Sequence, residues 1–227
     1  MRLLQMIGVG LLLIGLGATT LCAAETAQAN RHDSGAFKKG EAAYVAGDYQ
    51  QAAILWRPLA DKGEPQAQYA MGLLAKRGLG VMRDPVEAAE WWRKAANQGH
   101  TTAQFNLGVL YESGEGVRKS YDEAFKWYRL AAERGDPDAQ FNLGLLYAAG
   151  HGTRRDLNEA AGWYRKAAEQ GDAAAQYTLG LAYAAGMGVP EDRAEALVWL
   201  KKSAAQDFQP AKDALAKLAA KPAVKKP

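Results

Sequence analysis

The sequence predicts an all-α fold, a right-handed solenoid of antiparallel helix pairs, and three observations predict it. The stretch Thr101 to Asp136 recurs in register, with no insertion, as Pro65 to His100, Pro137 to Asp172 and Ala173 to Phe208. A fixed period of this size marks an array whose units bury their apolar faces only against their neighbours. Glycines fall at the same places in every copy. Helix-start signals, followed by small and aromatic residues at helical spacing, do the same.

Taken in order, residues Met1 to Ala24 carry one positive charge, Arg2, then an apolar run through Leu21 and small residues after it. This is the layout of a secretory signal peptide, with cleavage fitting after Ala24 or after Ala29. It implies a periplasmic or secreted chain with no membrane span once the leader is removed. An uncleaved N-terminal anchor competes with that reading, because the apolar run approaches the ~20 residues a span needs. A lipoprotein at Cys22 is a third reading, against which Leu21 stands where a small residue is wanted. Cleavage would remove the lone cysteine, leaving an array held by packing alone.

Glu25 to Gly35 is a polar linker. Residues 36–64 read as a capping helix pair: Phe37, Gly40 and Tyr44, a turn at Gly47 and Asp48, then Tyr49, Ala52, Trp56 and Leu59. Its turn lacks the second glycine and the capping segment of the later units, and Pro58 is expected to limit or bend its second helix.

Each of the four units then supplies two helices. In the central unit Ala103, Leu107, Leu110 and Tyr111 form an apolar stripe along the first. Gly72, Gly108, Gly144 and Gly180 sit inside that helix, at a cost of about 1 kcal/mol relative to alanine, so another helix is expected to approach closely there. Glycine pairs, such as Gly114 and Gly116 or Gly150 and Gly152, end the first helix and turn the chain. Asp84 with Glu87, Ser120 with Glu123, Asp156 with Glu159 and Asp192 with Glu195 fit a reciprocal capping box at the start of the second. Along it Ala88, Trp91, Trp92 and Ala95 recur as Ala124, Trp127, Tyr128 and Ala131, and as Ala160, Trp163, Tyr164 and Ala167, which suggests aromatic rings fitted over alanines. Gly63, Gly99, Gly135 and Gly171 end it.

At these residues the chain resembles the Sel-1-like repeat (SLR) family, a branch of the tetratricopeptide (TPR) superfamily. The pattern A-x-x-L-G-x-x-Y, G-x-G-V, D-x-x-x-A-x-x-W-Y-x-x-A-A-x-x-G is met from Ala103 to Gly135, and the likeness covers residues 65–208. Ala75, Ser120, Thr153 and Asp207 depart from it. The absence of a cysteine pair in each repeat separates the chain from the cysteine-rich secreted branch. After the array, Gln209 to Ala220 repeats a first helix through Ala211, Leu215 and Leu218 and reads as a C-terminal cap, followed by the Lys/Pro tail 221–227.

The resemblance implies a non-enzymatic scaffold for a protein or peptide partner in the bacterial envelope or outside the cell, without cofactor. In TPR-like solenoids the first helices line the concave face, which would present Ala70, Asn106, Asn142 and Thr178, with Gln66, Thr102, Asp138 and Ala174 beside them. Asparagine amides both donate and accept, so Asn106 and Asn142 suit the backbone of an extended peptide.

A second candidate is a basic ridge of Arg83, Lys119 and Arg155, beside a column of Arg93, Arg129, Arg165 and Lys201, to which a polyanion or polysaccharide could bind. Glu133 and Glu169, one turn after Arg129 and Arg165, argue instead for neutralised helix surfaces. Net charge is only +3, so nothing global calls for nucleic acid. His32, His100 and His151 lie in a linker and turns without metal-ligand spacing. The glycine pairs lack a Walker lysine, and the recurrent glutamates occupy equivalent positions, unlike the two differing acids of an envelope hydrolase.

Overall fold

The structure, a computed structural model, describes residues 35–220, so the leader, His32, Cys22 and the Lys/Pro tail lie outside the described residues. The fold is all-α: eleven helices and no strand among the described residues. Contacts divide the chain into two compact units, one up to Arg83 and one from Asp84 onward.

The first unit contains α1 (35–45), α2 (Tyr49–Asp61) and α3 (Pro65–Arg77). Trp56 of α2 is its anchor. The Phe37 ring stacks on it with centroids 5.7 Å apart, Tyr44 lies 5.8 Å away, and the indole nitrogen donates to the Phe37 carbonyl at 3.1 Å. Gly40 leaves the room, because a Cβ there would overlap the indole. Helix α2 has two local features of its own. Asp48 does cap it, accepting from the Gln51 amide at 3.0 Å, and Pro58 does not end it, since the helix continues to Asp61. The carbonyl that loses its donor belongs to Ile54, a residue on the exposed side, where water can replace the missing bond.

The second unit contains α4 (Pro85–Asn97), α5 (Thr101–Ser113), α6 (Tyr121–Glu133), α7 (Pro137–Ala149), α8 (Leu157–Glu169), α9 (Ala173–Ala185), α10 (Arg193–Ala204) and α11 (Gln209–Ala220), each packed against the next. The helix-interior glycines admit rings. A Cβ on Gly108 would lie 2.6 Å from Tyr128 Cδ1, and one on Gly144 would lie 2.5 Å from Tyr164 Cε1. So these tyrosines stand on the glycines of their own repeat, where the sequence suggested alanines. The buried alanines, such as Ala124, Ala131, Ala160 and Ala167, instead bring the helix backbones together.

The second glycine of each turn has a role beyond turning. Gly152 has φ +68°, and a Cβ on it would run into the backbone of Tyr121, at the start of the preceding repeat's second helix. Gly116 meets Pro85 and Gly188 meets Leu157 in the same way. Each turn is therefore seated on the repeat before it.

The capping boxes are only half formed. Asp156 accepts from the amides of Asn158 and Glu159 at 2.9 and 3.1 Å, and Ser120 from Glu123 at 3.3 Å. The amides that a reciprocal box would offer the glutamates are used elsewhere: those of Ser120, Asp156 and Asp192 each donate at 2.9 Å to the carbonyls of Tyr111, Tyr147 and Tyr183. Glu123 instead pairs with Lys126 at 2.6 Å, and Glu87 accepts from the Trp91 indole at 3.1 Å. Tertiary contact outcompetes the local motif.

Buried glutamines join successive repeats. Gln104, Gln140 and Gln176 donate at 3.0, 3.1 and 3.0 Å to the carbonyls of Ala96, Ala132 and Ala168, near the ends of the preceding second helices. Their own oxygens accept from Arg134, Gln170 and Gln206 at 3.3, 2.8 and 2.9 Å. A buried amide satisfied at both ends holds register, and losing one partner would strand the other.

Candidate interaction surface

The surface of interest in the second unit is built from α5, α7 and α9. Thr102, Phe105, Asn106, Val109 and Glu112 are spaced three or four apart on α5 and so share a face. Asp138, Phe141, Asn142 and Leu145 repeat that face on α7. Their buried counterparts, Ala103, Leu107 and Leu110, and Ala139, Leu143 and Leu146, point the other way, into the core. Thr102 and Asp138 are exposed, while Asn106, Asn142, Thr178 and Ala174 are half-buried. In the first unit Gln66 is exposed, but Ala70 is only 5% exposed. Ala70 is thus packing, not surface, and does not belong to the column the sequence placed it in.

One junction on this face breaks the repeat. The Tyr128 hydroxyl, reaching from α6, donates to Glu112 Oε2 at 2.7 Å, and the Asn142 side chain lies close enough to that hydroxyl to lower its pKa. Burial and then the Glu112 carboxylate push the phenol well above its ordinary pKa, with Asn142 opposing them. The residues corresponding to Glu112 in the other repeats are Lys76, Ala148 and Ala184. Tyr164 has no such acid, and burial alone pushes its hydroxyl up to about 12. Sequence reasoning passed over Glu112 and gave Tyr128 only a packing role. The available signal was Glu112 itself, the single charged residue of α5.

Asp138 has Asp136 and Asp172 near it. Partial burial first, and then these two charges, hold its carboxyl above the usual range.

The basic candidates are dispersed among other contacts. Lys119 is exposed with its ammonium 4.8 Å from the Tyr121 ring centroid, and Arg155 donates through Nε to the Ala148 carbonyl at 3.0 Å. Arg83 is an exposed side chain of the first unit. Arg129 pairs with Glu133 at 2.8 Å as its spacing suggests. Arg165 does not pair with Glu169. It donates to the Tyr183 hydroxyl of the next repeat and lies over that ring, because a packed neighbour offers a fixed acceptor without the ordering cost of a second flexible chain. Arg93 and Tyr111 repeat the pairing at 3.1 Å.

The two described histidines lie in turns and make local contacts there. His100 Nδ1 accepts from the Ala103 amide at 3.2 Å, the capping role that Asp136 and Asp172 fill for α7 and α9. His151 stacks on Tyr121 with centroids 4.1 Å apart. Among the described residues no group of three His, Cys, Asp or Glu side chains is placed to hold a metal ion.

Comparison with protein families matches the Sel1 repeat at residues 65–100, 101–136, 137–172 and 173–208. The chain belongs to the Sel1 repeat family. Among solved structures, a Sel1 repeat protein from Oxalobacter formigenes is 39% identical over 80% of this chain and 74% of its own, with TM-score 0.76. A protective antigen of uropathogenic Escherichia coli strains, c5321, displays the same SLR fold. It is 36% identical over 86% of this chain, with TM-score 0.79, and this Sel1 repeat chain spans 43% of its length. Comparison with curated proteins gives no match. Sel1 repeat proteins are in general non-catalytic scaffolds for protein–protein interaction. No helix among the described residues is long and apolar enough to cross a membrane.

Proposed function

We propose that this Sel1 repeat chain is an exported, non-enzymatic adaptor that binds an extended segment of a protein partner along its first-helix face, in the bacterial periplasm or outside the cell. The observation that carries the binding mode is the row Asn106, Asn142 and Thr178, left half-exposed beside Val109 and Leu145, which are 38% and 43% exposed. Amides that can satisfy a peptide backbone, next to apolar side chains not used by the core, suit recognition of an extended chain spread over several repeats. Export rests on the leader-like layout of residues 1–24. In this reading residues 36–64 and 209–220 act as the polar-faced caps such arrays need.

Crosslinking in intact cells, followed by repetition with Asn106→Ala and Asn142→Ala, tests the surface. Both substitutions are expected to weaken recovery of the most abundant captured protein, and unchanged recovery overturns the assignment. The mass of the mature chain reports export directly: loss of residues 1–24 or 1–29 is expected.

The alternative, a polyanion or polysaccharide binder using Arg83, Lys119 and Arg155, predicts retention on an anionic matrix that salt abolishes. Binding that survives charge reversal at all three removes it.

A further inference from the structure

We propose that the first-helix face of α5 and α7 selects a peptide bearing a basic side chain between apolar ones, with the cation seated on Glu112 at its junction with Tyr128 and Asn142. This rests on the peptide-binding reading above and adds the chemistry of the partner. Three observations lead to it.

The first is charge. Helices α5, α7 and α9 together carry two charged residues, Glu112 and Asp138, and no Lys or Arg, in a chain whose net charge is +3. These three helices are therefore negative, whereas α3, the first helix of the first repeat, carries Lys76 and Arg77. Both charges on these helices are carboxylates, so this face complements a basic segment better than an acidic or phosphorylated one.

The second is preorganisation. Glu112 is half-buried, and one of its oxygens accepts from Tyr128 at 2.7 Å, which fixes the carboxylate without neutralising it. An ionised carboxylate has about four lone-pair sites, so the tyrosine leaves acceptor capacity for an incoming guanidinium or ammonium. A carboxylate already held loses little side-chain entropy on binding.

The third is what flanks it. Val109 precedes Glu112 by one helical turn on α5, and Leu145 follows Asn142 by one turn on α7. Tyr128 is bonded to Glu112 and has Asn142 beside it, so both exposed aliphatic side chains border the same junction. They provide apolar contact on either side of the charge, and Asn142 provides a donor and acceptor for the backbone between.

The test uses the full mature chain and a displayed library of random seven-residue peptides. Selection is expected to enrich Arg or Lys next to Leu, Ile or Val. The best peptide, resynthesised with citrulline or norleucine in place of its basic residue, should bind at least tenfold more weakly. Glu112→Gln should cause a similar loss and then be indifferent to the citrulline change, while Tyr128→Phe, which frees the carboxylate, should cause a smaller one. Enrichment of acidic or uncharged peptides, failure to enrich any, or equal binding of the citrulline peptide to the wild-type chain overturns the proposal, and the peptide comparison does so without relying on the folding of a variant. If Asn106→Ala and Asn142→Ala weaken binding but charge removal does not, the peptide-binding face stands and its preference for basic segments falls. If the reverse holds, the site at Glu112 stands without the asparagine row.

Discussion

At the scale of single residues, glycines and tyrosines do complementary work. Gly144 is needed because the Tyr164 ring occupies the space of its Cβ, with the Ala160 carbonyl 3.2 Å away on another side. Alanine would gain about 1 kcal/mol of helix propensity but force the ring and helix apart, at about 1–3 kcal/mol. We expect Gly144→Ala to lower the thermal midpoint, measured by circular dichroism, and Gly162→Ala, where the added carbon meets nothing, to raise it slightly. The buried tyrosines also make stability depend on high pH. Tyr164 has its pKa raised by burial from the ordinary 10.0 to about 12, so folding favours its protonated form. Its contribution is complete below pH 10 and is lost as the pH rises towards 12, worth on the order of 3 kcal/mol. Denaturant titrations at pH 9 and pH 11.5 should show that loss, and Tyr164→Phe should reduce it.

Elements end where local chemistry ends them, and here the sequence was most informative. Asp156 and Asp192 cap α8 and α10 as their spacing implied, because a cap needs only an acceptor two or three residues before the amides it satisfies. The glutamates of the same motif were misread, since their intended donors are claimed by tyrosine carbonyls nine residues back in the chain. His100 is a weaker cap, its Nδ1 accepting from the Ala103 amide at 3.2 Å. Replacing it with the aspartate found in the later repeats should stabilise the fold by about 0.5–1 kcal/mol, read from the urea midpoint. The glutamines show the limit of local reading. Gln68, Gln104, Gln140 and Gln176 recur in an otherwise apolar stripe, and recurrence alone could have marked them, but their partners lie in the preceding helix or 30 residues on. Gln140→Leu removes the donor to the Ala132 carbonyl and the acceptor for Gln170, and should cost about 1–3 kcal/mol.

The whole molecule depends on contacts between successive repeats. The seating of each turn on the previous repeat, with the glutamine links, means that a deletion in register preserves every type of interface. Removing residues 137–172 should leave a cooperatively folding chain. Removing residues 173–220 strips the cover from Tyr164, Ala167 and Ala168, which are buried against Leu179 and Trp199, and should yield a protein that binds apolar dyes and melts lower.

By itself the sequence determined the period, the two helices of each repeat and most of their ends, because glycines, caps and apolar spacing act within one or two turns of backbone. Only the tertiary structure decided that Arg165 turns to Tyr183, that Ala70 is buried, and that Glu112, Tyr128 and Asn142 meet. Those three belong to three helices, separated by 16 and 14 residues, and their proximity follows from how whole helices pack. A side chain that leaves its own helix can choose among several partners, and packing makes the choice.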